Sequence, residues 1–146
     1  MGQQLEVTVD LTNQKVQFSG VARSNPAVTF DYEPPLGDGR GYTGLEMLLL
    51  SFAACSATSI VALLRNFGKT VAGFKVNGKG TRREEHPTSL ETINLEFILT
   101  SNDAGDEDMQ KAIQLSEAQV CPVWHMLKGN VEITTEYKIT PRRGEP

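Results

Sequence analysis

Between Met47 and Leu64 the chain runs for 18 residues without a charge, "MLLLSFAACSATSIVALL". A segment apolar on nearly every side has to be covered by protein or by lipid, and this restricts the fold more than any other feature. Its length is close to the lower limit for crossing a bilayer, about 17 residues. Ala, Ser and Thr are frequent in it, no aromatic belt flanks it, and the other elements alternate polar and apolar residues. A helix buried at the centre of a domain or of a subunit interface fits that pattern better than a membrane span. Thr43 is placed to cap it, Glu46 sits in the first turn where the helix dipole favours an anion, and Gly68 is placed to stop it. The spacing therefore predicts a helix from about Gly44 to Phe67. Ser51, Ala53, Ala54, Ser56, Ala57 and Ser59 fill its middle with small side chains, which let a second backbone come close.

Period-2 alternation marks the strands. Leu5, Val7, Val9 and Leu11 share one face of a half-buried strand, "TNQK" turns the chain, and "KVQFSGVA" and "AVTFDY" read as two more strands. This meander leads into a Pro/Gly-rich loop, Glu33 to Gly44. After the helix, "GFKVNGKGTRRE" reads as a strand in which Gly78 and Gly80 mark a bulge or a close approach. Ile93, Leu95, Phe97 and Leu99 alternate along the next strand. Residues 107–120 read as a helix with Met109, Ala112, Ile113, Ser116 and Val120 on one stripe. Pro122 has no N–H to give to that helix, so the chain should restart as "PVWHMLKG" with Cys121 at the joint. The last strand, "VEITTEYKI", precedes a tail, "PRRGEP", that is expected to fray.

Strands in antiparallel runs between two helices make the class α+β rather than a doubly wound parallel sheet. At 146 residues the chain is read as one domain, residues 1–43 forming the meander and loop and residues 44–140 the helix-strand-strand-helix-strand core. The formal net charge is −4, so a nucleic-acid or anionic-membrane partner is not expected. "MGQQLEVTVD" carries no basic stretch followed by an apolar one, and the expected compartment is the cytoplasm. Two cysteines in a reducing compartment read as free thiols or a redox couple more readily than as a structural bridge.

Cys55 lies in the middle of the long helix, with Ser51, Phe52, Thr58 and Ser59 as its helical neighbours. Cys121 precedes Pro122 and is placed as the N-cap of a short helix, where free amides favour a thiolate; local signals alone make it the more reactive thiol. His125, four residues on, reads as a surface or interface histidine. No second Cys/His pair stands at zinc-binding spacing, so no metal is expected. A glutamate such as Glu46 can orient an arginine toward a thiol, and Arg40 is the arginine nearest in sequence.

In "GLEMLLLSFAACSATSI", "INLEFILT" and "CPVWHML", in that order, the chain resembles the OsmC/Ohr family of thiol-dependent hydroperoxide reductases, over about residues 40–140. The resemblance implies antiparallel sheets around two central helices, an intertwined homodimer, and the cysteine pair near the subunit interface. It also implies that Cys55 attacks the peroxide, that Cys121 resolves the sulfenic acid to a disulfide, and that an external dithiol reduces the bridge without metal or organic cofactor. Members with well-defined peroxidase chemistry carry a glutamate ten residues before the first cysteine; here that position is Leu45, and Glu46 is one residue later. The first hairpin offers Lys15 and no arginine, which leaves Arg40 as a substitute chosen by proximity. The "RREEHP" and "INLEF" segments resemble a less well-defined branch of the family. The expected substrate is a small organic hydroperoxide, its alkyl chain covered by Phe52, Leu48 and Trp124. The alternatives are a dimeric ligand-binding or redox-sensing protein on the same fold, and a static disulfide.

Overall fold

Alternating apolar residues can fold into a sheet only if one face finds cover, and the two sheets of this chain differ in how far they find it. The computed structural model describes residues 2–142, so the last four residues of the tail expected to fray lie outside the described residues. At the start of that tail the Arg142 N–H donates to Asn102 Oδ1 at 2.9 Å. The chain divides into two compact units, Met1–Met47 and Leu48–Pro146.

The first unit is a three-stranded antiparallel meander, β1 (Thr8–Leu11), β2 (Phe18–Val21) and β3 (Val28–Phe30). Its apolar face is not half-buried as the alternation suggested. Leu5, Val7, Val9 and Leu11 are 85%, 72%, 53% and 55% exposed. The loop that follows is held from within by Asp31, a buried carboxylate that accepts the backbone N–H groups of Tyr32 (2.8 Å), Asp38 (3.2 Å) and Arg40 (3.0 Å). Those three donors, Arg40 foremost, keep the Asp31 carboxyl below the usual carboxylate range. A side chain at Gly37 would collide with the Asp31 carboxylate and the Tyr32 carbonyl, so glycine is required by close approach.

The second unit is built on helix α1 (Gly44–Asn66), which begins in the last residues of the first. Its start is a capping box: Thr43 Oγ1 accepts the Glu46 N–H at 3.1 Å while a Glu46 carboxylate oxygen accepts the Thr43 N–H at 2.9 Å. Its end is a Schellman turn. Gly68 sits at φ +79, its N–H donates to Arg65 O, and the Lys69 N–H reaches back to Leu64 O, both at 3.0 Å. Among the described residues α1 is the one helix long and apolar enough to cross a membrane, and its inward face, Phe52, Ser56, Ser59, Ile60 and Leu64, is buried in the protein.

That face packs on a second sheet of β4 (Gly73–Arg82), β5 (Leu90–Thr100) and β6 (Glu132–Thr140). Ile93, Leu95, Phe97 and Leu99 of β5 are at most 1% exposed, as their alternation predicts, and burying each contributes about 1.5–3 kcal/mol. The glycines of β4 leave room: a Cβ on Gly80 would stand 2.8 Å from Leu90, and one on Gly78 would stand 3.5 Å from Leu49 of α1. β4 and β5 pair antiparallel, but β5 and β6 pair parallel, which corrects the expectation of wholly antiparallel sheets. Parallel neighbours need a crossover, and here it is helical: α2 (Asp106–Leu115), a π-helical turn (Ser116–Val120) and α3 (Pro122–Leu127).

The π turn corrects a second expectation. Met109, Ala112, Ile113 and Ser116 are buried along the predicted stripe, but Val120 is 47% exposed, because the extra residue in the turn rotates it off that face. Phe97, fully buried with its ring 6.0 Å from that of Phe74, tests the packing. Truncation to alanine should lower the unfolding free energy by about 3–5 kcal/mol in urea titration at fixed protein concentration.

Candidate functional site

Cys121 owes its position to two local rules. The π turn lets the Cys121 N–H donate to Ser116 O at 2.9 Å, five residues back, and Pro122 then forces a new helix to begin. Cys121 caps that helix, its Sγ accepting the Trp124 N–H at 3.4 Å, and the backbone N–H of His125 donates to Cys121 O at 3.2 Å. The capping role read from "CPV" is therefore observed. The thiol is buried, 3% exposed, and shares a hydrogen bond with the hydroxyl of Ser56, Oγ···Sγ 3.7 Å.

Cys55 lies one residue before Ser56 on α1, and successive helical residues point about 100° apart. Ser56 therefore points into the protein while Cys55 is half-buried at its edge. Both thiols are free and not at disulfide distance, yet Cys121 is close enough to act on the ionisation of Cys55. Burial raises the Cys55 pKa first, the nearby Cys121 thiol raises it further, and the Val123 N–H acts in the opposite direction. Pro122 contributes no amide to this first turn of α3. The next two amides are divided between the sulfurs, that of Val123 favouring the Cys55 thiolate and that of Trp124 held by Cys121.

A second polar contact ties the same two elements together deeper in the core. Ser59 Oγ and Ser116 Oγ lie 2.7 Å apart, and the Ser59 hydroxyl is also within 3.1 Å of the Cys55 and Ser56 carbonyls. Beside the thiols, Phe52 and Trp124 meet edge to face with ring centroids 5.3 Å apart. Both are buried, so they are committed to the core and offer no open surface to an alkyl chain; of the three residues expected to cover one, Leu48 alone is open, at 40% exposure.

Arg40 and Glu46 belong to the first unit. The Arg40 backbone is fixed by Asp31 and its side chain is exposed. Glu46 has its carboxylate on the Thr43 amide, a use already written in the sequence as Thr43-x-x-Glu46. His125 is exposed, and among the described residues no three His, Cys, Asp or Glu side chains come together in a way that could hold a metal ion. Ser56 was visible in the sequence only as one of several small residues; its contact with Cys121 spans 65 positions and has no local signal.

A family model described as OsmC-like protein matches residues 37–136. Protein YhfA of Escherichia coli K12 is 36% identical over 95 residues, 65% of this chain and 71% of that protein. Among solved structures, a hypothetical protein from Aquifex aeolicus VF5 superposes with a TM-score of 0.85 at 23% identity, covering 97% of this chain and all (100%) of that one. The organic hydroperoxide resistance protein OhrB of Bacillus subtilis has the same fold, with a TM-score of 0.65 at 15% identity over 93% of this chain and 98% of that one.

The difference in exposure between the thiols predicts their order of modification. Brief treatment of the reduced, native protein with iodoacetamide should label Cys55 and leave Cys121 unlabelled until the protein is unfolded, as read by peptide mass spectrometry. Because the Cys55 pKa is raised, its labelling rate should still be climbing at a pH where an ordinary thiol has reached its plateau.

Proposed function

Since the chain belongs to the OsmC-like protein family, we propose that it reduces organic hydroperoxides with two thiols, Cys55 attacking and Cys121 resolving. The observation that supports this reading is the pairing of a solvent-reachable thiol with a buried one as free neighbours. The Cys55 thiolate attacks the distal peroxide oxygen, the O–O bond breaks, and an alcohol leaves with a proton from solvent. Cys121 then displaces hydroxide from the Cys55 sulfenic acid, forming the S–S bond and releasing water. An external dithiol restores both thiols by exchange and is itself oxidised to its disulfide. Arg40, pinned at its backbone and open at its side chain, is the proposed source of positive charge for the thiolate. Glu46 is the group proposed to orient it, and would have to leave the Thr43 amide to do so.

The proposal includes a cytoplasmic homodimer. The uncovered aliphatic face of the meander and the open Leu48 and Leu50 on α1 are the surfaces it would bury. Sedimentation should then give twice the mass of the chain, and Val9→Lys should shift the population toward monomer.

Cumene hydroperoxide mixed with reduced protein should consume both thiols per peroxide reduced. Cys55→Ser should abolish that loss, and Cys121→Ser should stop at a dimedone-reactive sulfenic acid on Cys55. Retention of both wild-type thiols over many minutes would refute the catalytic reading. The raised Cys55 pKa opposes fast peroxide attack in a catalyst and in a sensor alike; the competing reading is a redox sensor on this fold that is oxidised once and does not turn over. Sustained peroxide consumption in excess dithiol separates the two.

A further inference from the structure

We propose that Ser56 is a positioning residue for the second thiol: its hydroxyl holds Cys121 Sγ against α1 and supports that sulfur as a thiolate when the disulfide closes. Ser56 is fully buried at the centre of a long helix, where alanine would occupy less volume and favour the helix more. A hydroxyl buried there is destabilising unless it is hydrogen-bonded. Its observed side-chain partner is the sulfur of Cys121, 3.7 Å away. Ser59, one turn on, differs: its hydroxyl reaches carbonyls of its own helix as well as Ser116.

The chemistry of the pair suits both protonation states. While Cys121 is a thiol, its S–H can donate to Ser56 Oγ, and its lone pairs receive the Trp124 N–H. When it ionises, the Ser56 hydroxyl turns and donates to the sulfur in its place. The thiolate thus keeps two donors, and it stays beside Cys55, since Ser56 and Cys55 are consecutive residues of one rigid helix. In the resolving step the Cys121 Sγ–Cys55 Sγ bond forms and the Cys55 S–O bond breaks. The departing hydroxide takes up the proton that Cys121 gave up and leaves as water. This role rests on the two-thiol reading above, whereas the hydrogen bond itself does not.

The test has one arm that needs peroxide and one that does not. In a Cys55→Ser background, the ultraviolet absorbance of the Cys121 thiolate is followed against pH. Ser56→Ala should reduce the thiolate present at a given pH by about tenfold, and Ser56→Thr, which keeps a hydroxyl, should restore most of it. In the two-cysteine protein, Ser56→Ala should leave the rate of Cys55 oxidation unchanged and prolong the dimedone-trappable sulfenic acid by a similar factor, again with rescue by Ser56→Thr. Circular dichroism checks that each variant is folded. An unshifted Cys121 titration in Ser56→Ala would overturn the proposal, as would a shift that Ser56→Thr fails to reverse. If the wild-type protein never forms a sulfenic acid, the peroxidase reading fails, and the titration alone decides whether Ser56 supports the Cys121 thiolate.

Discussion

The packing of α1 on the second sheet is the constraint from which the rest of the larger unit follows. A helix without a charge for 18 residues is stable in water only against an apolar surface, and β5 supplies one that is buried along its whole alternating face. Glycines in β4 let Leu49 approach, and a Schellman turn at Gly68 ends the helix where the chain has to turn back toward the sheet. With α1 fixed, Cys55 and Ser56 have no freedom beyond their rotamers. The other sulfur is carried by the short α3 and the turn before it.

The site therefore depends on how the helical crossover between β5 and β6 is divided. An unbroken helix from Asp106 would carry position 121 onward with its N–H paired four residues back. The π turn adds one residue, Pro122 refuses a helical hydrogen bond, and the chain restarts with its first amides free. Those amides face two sulfurs instead of solvent. The tripeptide Cys121-Pro122-Val123 thus makes a cap out of the first cysteine and brings the next amide to the second.

Features governed by neighbouring residues were readable in the sequence. The β5 alternation, the stop at Gly68, the restart at Pro122 and the capping by Cys121 each rest on a rule spanning a few positions. The Thr43/Glu46 capping box has its own sequence signature, and it accounts for Glu46 more economically than an arginine partner does. What could not be read was settled by contacts across the chain. Parallel pairing of β6 depends on where a crossover of some thirty residues returns, and the outward turn of Val120 on one extra residue in a π turn. The Ser56–Cys121 contact joins two elements with no common pattern. The meander illustrates a different limit: its alternation was legible, but alternation says that a face wants cover and does not say which element covers it.

The electrostatics of Cys55 set a condition on any chemistry at this site. A raised pKa leaves less thiolate at neutral pH, and the greater intrinsic nucleophilicity of a more basic thiolate recovers only about half of that loss on a logarithmic scale. The groups that act on Cys55 within its own unit are burial, a second thiol and one backbone amide, and the first two oppose ionisation. Rapid reaction with a peroxide therefore requires a further positive group beside the sulfur, the role proposed for Arg40. The first unit carries Arg40 on a loop stiffened by the Asp31 carboxylate, together with an aliphatic face whose Leu5, Val7, Val9 and Leu11 are more than half exposed. In the proposed homodimer, burying that face would restrain the loop that carries Arg40, which links the proposed assembly to the proposed activation of the thiol.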